Sequence, residues 1–392
     1  MSQQLINHSA DLKRLRDEGY SIQVKGGYLV IHHIPYVNSS RQIKYGILAS
    51  TLSLASNILT AKPDNHVIYF IGEQPCNKDG SRITAIEHSA HNQPLSQGLI
   101  ANRSFSNKPA EGYADYYHKV STYAEIISAP AKSLDSNVTA KAFNVVADEE
   151  EDSVFQYLDT NSSRANINQL NNKLKMQKIA IVGLGGTGAY TLDLLAKTTV
   201  SEIHLFDGDD FLQHNAFRSP GAASAEQLNM RMQKVDFYVE QYSKMHKYII
   251  PHDCYVTENN LSKLATMSFV FLCIDSDNAR KKIIQFLLKM DVPFIDVGLG
   301  VNLVDNRLIG SVRTTTGTPS KNDHLIHRLS FADDADNEYN TNIQIAELNA
   351  LNACHAVIKW KKLRGFYQDL QEENHCIYSI NVAQLLNEDS TA

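Results

Sequence analysis

The sequence predicts an α/β protein in which a doubly wound, Rossmann-like, mostly parallel sheet follows a smaller mixed α/β domain. Three observations predict it. From Lys178 onward, apolar strand-like runs alternate with amphipathic runs, the pattern of parallel strands joined by crossover helices. "KIAIVGLGGTGAY" (178–190) joins the first of these strands to a helix through a glycine turn. The acidic run Asp148-Glu149-Glu150-Glu151-Asp152, with a polar stretch to about residue 177, reads as a solvated connector between two domains. A chain of 392 residues also exceeds one comfortable core.

The expected division is 1–147 for the N-terminal domain, 148–177 for a linker and lead-in helix, and 178–392 for the nucleotide-binding domain. In the first part, "YLVIHHIPYV" (28–37) and "HVIYFIGEQPC" (66–76) are rich in β-branched and aromatic residues and predict strands. The stretch 44–59 suits a strand or a helix, and 111–127 predicts a helix after the Gly112 turn. No motif there carries derivable chemistry. In the second part strands are expected near 178–182, 202–206, 250–256, 268–274 and 293–297. Helices are expected near 187–197, 225–246, 260–265 and 278–290, with a further helix inside 340–367 packing back on the sheet.

Composition limits the function classes. A hydrophobic content of 43% with 20% charged residues is ordinary for a soluble globular chain. A net charge of −6 supplies no bulk attraction for nucleic acid or an anionic membrane, so neither is expected as a partner. No apolar run approaches the roughly 20 residues of a membrane helix, and the polar start "MSQQLINHSADLKRL" has no apolar signal segment. The five cysteines include no CxxC pair. A reducing, cytoplasmic setting without structural zinc is therefore expected.

Gly183, Gly185 and Gly188 fit GxGxxG directly after the first apolar strand. Small residues let a backbone approach phosphates, and the helix N-terminus behind them favours negative charge. Asp207, ending the next strand, suits a ribose hydroxyl. Dehydrogenases and ATP-using enzymes share both features. The discrimination lies downstream, at Asn215, Arg218, Lys234 and Asp275, the last ending "FVFLCIDSDNAR" beside Ser276. Hydride transfer has no use for an extra Arg, Lys and Asp around the phosphates. Nucleotidyl transfer does: Arg218 and Lys234 would offset charge on the α-phosphate and pyrophosphate, and Asp275 would hold Mg²⁺.

"GLGGTG", "FDGDDFLQHNAFR", "QKV" and "CIDSDNAR" together resemble the ThiF/MoeB/HesA family and the ubiquitin-activating enzymes built on the same domain. The family pattern falls on Gly183, Gly185, Gly186 and Gly188, then Asp207, Asn215, Arg218, Lys234 and Asp275, with Arg280 five residues further. The likeness covers roughly 165–315. It implies adenylation of the C-terminal carboxylate of a ubiquitin-like or sulfur-carrier protein by ATP·Mg²⁺, releasing pyrophosphate. It also implies a substrate ending in glycine, a conjugating-enzyme-like protein downstream, and a homodimer in which an arginine, here Arg164, reaches the neighbouring site. A NAD-binding oxidoreductase and a non-catalytic nucleotide-binding assembly module are the alternatives from other classes.

One family feature is missing. The stretch 313–342, which would carry a thioester cysteine, contains none. One route passes the acyl-adenylate straight to another nucleophile. A hydroxyl of Thr316, Ser320 or Ser330, with His324 or His327 as base, is a second route, and Cys76, Cys354 or Cys376 reaching the site is a third.

Overall fold

The computed structural model describes residues 2–144, 146, 153–165, 167–329 and 343–390. The acidic run 148–152 and Ser330 lie outside them. The chain forms two compact units, Met1–Ser153 with Tyr157–Asn171, and Val154–Gln156 with Asn172–Ala392. No described helix is long and apolar enough to cross a membrane.

The N-terminal unit is built on an antiparallel sheet of β1 (Ser21–Lys25), β2 (Tyr28–Val37), β3 (Ile43–Thr51), β4 (Val67–Ile71), β5 (Glu87–Ser89) and β6 (Arg103–Ser106). Its strand order is β1-β2-β3-β4-β6-β5. The ambiguous stretch 44–59 is therefore mainly strand. Helices α1 (Ala10–Asp17) and α2 (Tyr116–Leu134) bury Leu12, Leu15, Tyr116, Val120 and Tyr123 with Leu29 and Ile31 of the sheet. Asp115 starts α2 by accepting the His118 amide at 2.7 Å, an N-cap that satisfies a donor the helix itself cannot.

The C-terminal unit contains β7 (Lys178–Val182), β8 (Glu202–Asp207), β9 (Ile249–Asp253), β10 (Phe269–Leu272), β11 (Phe294–Val304), β12 (Arg307–Gly317), β13 (His375–Ser379) and β14 (Gln384–Glu388). They run in the order β9-β8-β7-β10-β11-β12-β13-β14. The first five are parallel, as the alternation predicts, and the last three add antiparallel pairs that it did not reveal. Helices α3 (Gly186–Leu195), α4 (Lys234–Tyr242), α5 (Asp277–Lys289) and α6 (Ala346–Leu363) complete the unit. One face of the sheet packs with Leu192, Tyr238 and Trp360; the other packs with Ile283, Ile284 and Leu287. Both faces are thus covered, as parallel sheets require.

The single helix expected over 225–246 is two pieces, Ala225–Asn229 and α4. Arg231, with φ of 48°, breaks it, and the chain is then captured by a hydrogen bond from Lys234 N to Asp209 O at 2.9 Å. The expected helix at 260–265 is one 3₁₀ turn, Leu261–Leu264.

Candidate active site

The strand order reverses on either side of β7, between β8 and β10, and open α/β sheets bind ligands outside the carboxyl ends of the strands at such a point. A cavity of about 390 Å³ opens there, lined by Gly183, Asp207, Arg218, Lys234 and Asp275 among others. Its parts follow the carboxyl edge of the sheet: Tyr255 beyond β9, Asp207 on β8, the glycine turn after β7, Asp275 after β10 and Gly298 on β11.

The glycines divide by what requires them. Gly183 has φ of +89°, and a Cβ on it would lie 2.5 Å from the Cys273 carbonyl oxygen. A Cβ on Gly186 would lie 1.9 Å from Asn349 Nδ2, and one on Gly188 would lie 1.9 Å from the Gly183 carbonyl oxygen. The fold itself therefore demands those three. Gly185 differs: its φ is −67°, and a Cβ there would meet nothing nearer than Gln344 Oε1 at 3.9 Å. As the N-cap of α3, a position that favours glycine, Gly185 leaves room on the cavity side in which an anionic oxygen could approach the backbone.

Asp207 is 6% exposed and accepts from Leu184 N at 2.6 Å and Asp209 N at 2.9 Å, tying the end of β8 to the glycine turn. Lys234 opens α4 with its ammonium buried, 2.6 Å from Asp209 Oδ2 and 3.4 Å from Asp207 Oδ1. Burial alone would push the Asp209 carboxyl up, but the bonds from Lys234 and the Tyr255 hydroxyl outweigh it and hold the group below its ordinary value. The same contact with Asp209 pushes the Tyr255 phenol up to about 12. Arg218 lines the cavity, and its buried Nε meets no partner among the described residues. Asn215 does not line the cavity. It is 2% exposed, accepts from Leu212 N at 2.9 Å and receives Arg218 N on its carbonyl at 3.1 Å, so it shapes the turn that presents Arg218.

Asp275 and Ser276 lie in the loop between β10 and α5, where Ser276 accepts from Ala279 N at 3.4 Å and caps the helix. Arg280 anchors that loop: its Nη2 donates to Ile274 O at 2.5 Å, its Nε to Asp296 at 2.9 Å, and Nη1 pairs with Asp277. Asp296 is fully buried and is held on its other oxygen by Arg313 at 2.6 Å. Arg164 does not line the cavity. It stands in the N-terminal unit, 58% exposed, with an ion pair to Asp64 at 3.3 Å.

Sequence reasoning missed five groups here: Asp209, Tyr255, Gln344, and the amides Asn349 and Asn352 on α6. Asp209 was visible in "FDGDDF" as a second acid two residues after Asp207. Nothing marked the asparagines, which read as polar positions of an amphipathic helix.

The nucleophiles considered as acyl acceptors are placed less favourably. Thr316 is buried in β12, and Ser320 Oγ meets Thr318 Oγ1 at 3.2 Å rather than a histidine. Among the cysteines only Cys273 lines the cavity, and burial pushes its thiol up. Burial likewise raises Cys76, Cys354 and Cys376.

ATP and Mg²⁺ fit this donor set. An unpartnered guanidinium N–H and an unobstructed glycine suit anionic oxygens, and Asp275, whose Oδ2 accepts from Gln344 Nε2 at 3.4 Å, would supply a hard oxygen of the kind Mg²⁺ takes.

Comparison with known proteins gives two matching families. Residues 161–348 match the ThiF family, and residues 10–160 match a domain of unknown function, DUF6791. The tRNA threonylcarbamoyladenosine dehydratase of Escherichia coli (strain K12) is 26% identical over 124 residues, covering 31% of this chain and 45% of that protein. The chain thus spans less than half the length of that curated relative. Among solved structures, E. coli MccB with succinimide aligns with a TM-score of 0.45 at 17% identity, covering 57% of this chain and 67% of that one. PaaA aligns with a TM-score of 0.44 at 19% identity, covering 57% and 76%.

Proposed function

We propose, from the match of residues 161–348 to the ThiF family, that the protein adenylates a carboxylate: the C-terminal carboxylate of a ubiquitin-like or sulfur-carrier protein ending in glycine. A carboxylate oxygen attacks the α-phosphorus of ATP, the bond from that phosphorus to the bridging oxygen of pyrophosphate breaks, and an acyl-adenylate and pyrophosphate result. The observation that carries this reading is the joint placement of Arg218, Lys234 and Asp275 around an unobstructed Gly185 in one cavity at the switch point.

Each residue has a derivable part. Asp207 accepts a ribose hydroxyl, and the amides opening α3 face the phosphates. Lys234, released in part from Asp209, and Arg218 compensate the charge that builds on the α-phosphate and the leaving pyrophosphate. Asp275 holds Mg²⁺, which supplies further charge compensation when bound. Asn215 and Arg280 hold the loops bearing Arg218 and Asp275. Arg164 is the residue a homodimer would deliver to the neighbouring copy's site. Onward transfer proceeds from the adenylate directly to an outside nucleophile, with a conjugating-enzyme-like protein as its natural recipient.

ATP–pyrophosphate exchange tests the reading. Exchange should depend on a small protein ending in glycine and fall by about 10²-fold or more in Asp275→Ala. Absence of exchange with every such partner, together with ATP use unchanged in Asp275→Ala, would refute it, and NAD(H) binding in place of ATP would favour the oxidoreductase.

A further inference from the structure

Three buried polar atoms on residues lining the cavity have no partner among the described residues. Arg218 Nε is a donor, and Gln344 Oε1 is an acceptor on the residue that bonds Asp275. At the far end of the cavity, over β11, stands a second acceptor: Asn352 Oδ1, on a residue with 0% exposure. The orientation of that amide is fixed, because Asn352 Nδ2 donates to the Gly298 carbonyl at 3.0 Å. Flipping it would set two oxygens against each other. A buried acceptor left empty costs on the order of 1–3 kcal/mol, so it calls for a donor.

Few donors can arrive there. Gly298 stands on β11 and Asp207 on β8, with β7 and β10 between them. At about 4.8 Å per strand spacing they are roughly 14 Å apart. A ribose held by Asp207 and the base beyond it cannot supply the proton, and phosphates and a carboxylate carry none. Among the reactants, the component left with an N–H to offer is the chain to which the carboxylate is attached. Resting on the adenylation reading, we infer that Asn352 Oδ1 accepts the last peptide N–H of the acyl donor. Asn352 is thus a specificity residue for a polypeptide C-terminus over a carboxylate that lacks that N–H. Its neighbour Asn349, one turn earlier on α6, has no such vacancy: its Oδ1 accepts from Thr187 Oγ1 at 2.9 Å and its Nδ2 donates to Arg218 O at 3.3 Å.

The test uses the full chain and two acyl-adenylate mimics, glycylglycyl-sulfamoyl adenosine and its counterpart with glycolate replacing the terminal glycine, so that an ester oxygen replaces one N–H. Calorimetric titration of the wild type should show the amide binding about tenfold more tightly than the ester. Asn352→Leu and the milder Asn352→Ser should bring the two affinities together, with an ATP titration reporting that each variant is folded. Equal affinities in the wild type would overturn the inference, as a contact of Asn352 with Mg²⁺ instead would produce. Discrimination that persists in both folded variants would overturn it too. If neither mimic nor ATP binds the wild type, the adenylation reading itself fails and takes this one with it.

Discussion

Gly185 is the residue at which ligand demand and fold demand separate. Its three companions in the turn are fixed by the protein's own atoms, whereas a Cβ at 185 would make only an ordinary contact with Gln344 Oε1 at 3.9 Å. Gly185→Ala should therefore fold, losing no more than about 1 kcal/mol at the start of α3, while ATP affinity falls at least tenfold in calorimetric titration. Gly188→Ala should do the reverse at the level of stability. Its Cβ would lie 1.9 Å from the Gly183 carbonyl oxygen, a clash worth roughly 1–3 kcal/mol or more in a thermal melt. Similar ATP loss with similar stability loss in both would remove the distinction. The sequence shows four glycines as one motif because spacing records none of these neighbours. For the same reason it made Arg218, Lys234 and Asp275 legible, since their chemistry is rare in a dinucleotide site, but left Asn352 unread. A buried asparagine on an amphipathic helix has no local signature, and only its distance to Gly298 gives it a part.

Elements were legible where periodicity decides them and obscure where a distant partner does. The parallel strands β7 to β11 announce themselves as apolar runs. The break between residues 229 and 234 does not, because it is made by a hydrogen bond from Lys234 N to Asp209 O on another loop. That break is what puts Lys234 at a helix start, facing the cavity. Helix α2 hides a comparable feature. Lys119 is fully buried, with its ammonium 2.9 Å from Ser50 Oγ and 3.0 Å from the Asn65 carbonyl. Burial lowers its pKa to about 7 from the ordinary 10.5, and the Asp64 charge offsets this only in part. Between those two values the unfolded chain holds a proton that the folded one lacks, so stability should rise with pH from about 7 to 10.5 and level off on either side. Urea midpoints of the N-terminal transition at pH 7.5 and 9.5 should differ in the wild type and converge in Lys119→Met. A variant that keeps the full difference would show that another group is responsible.

At the scale of the whole molecule, the alternation of strand-like and helix-like runs marks an α/β chain but is silent on how its titratable groups are buried. In the C-terminal unit, burial lowers His252 and His375 to about 4, with the His204 ring reinforcing it for His252 and Arg313 for His375. Their ordinary value is 6.5, so on acidification from there to about 4 the unfolded chain takes up protons that the folded unit refuses. The urea midpoint of this unit should fall between pH 7 and pH 4.5, less steeply in His375→Gln, and an unchanged slope there would assign the effect elsewhere. The thiols obey the same rule and bear on the reaction. Cys76, Cys273, Cys354 and Cys376 all have their thiolates disfavoured by burial, whereas a thioester-forming cysteine needs the thiolate at neutral pH. Of these only Cys273 borders the cavity, and there it packs against the glycine turn. The chain should accordingly release its activated acyl group without holding it on sulfur. Incubation with ATP and the carrier protein, followed by denaturing electrophoresis without reductant, should show no carrier adduct that dithiothreitol dissolves. Pyrophosphate exchange should persist when Cys76, Cys354 and Cys376 are all replaced by alanine. A reductant-sensitive adduct that disappears in that triple variant would instead establish a thioester, and would mean that one of these sulfurs reaches the cavity during the reaction.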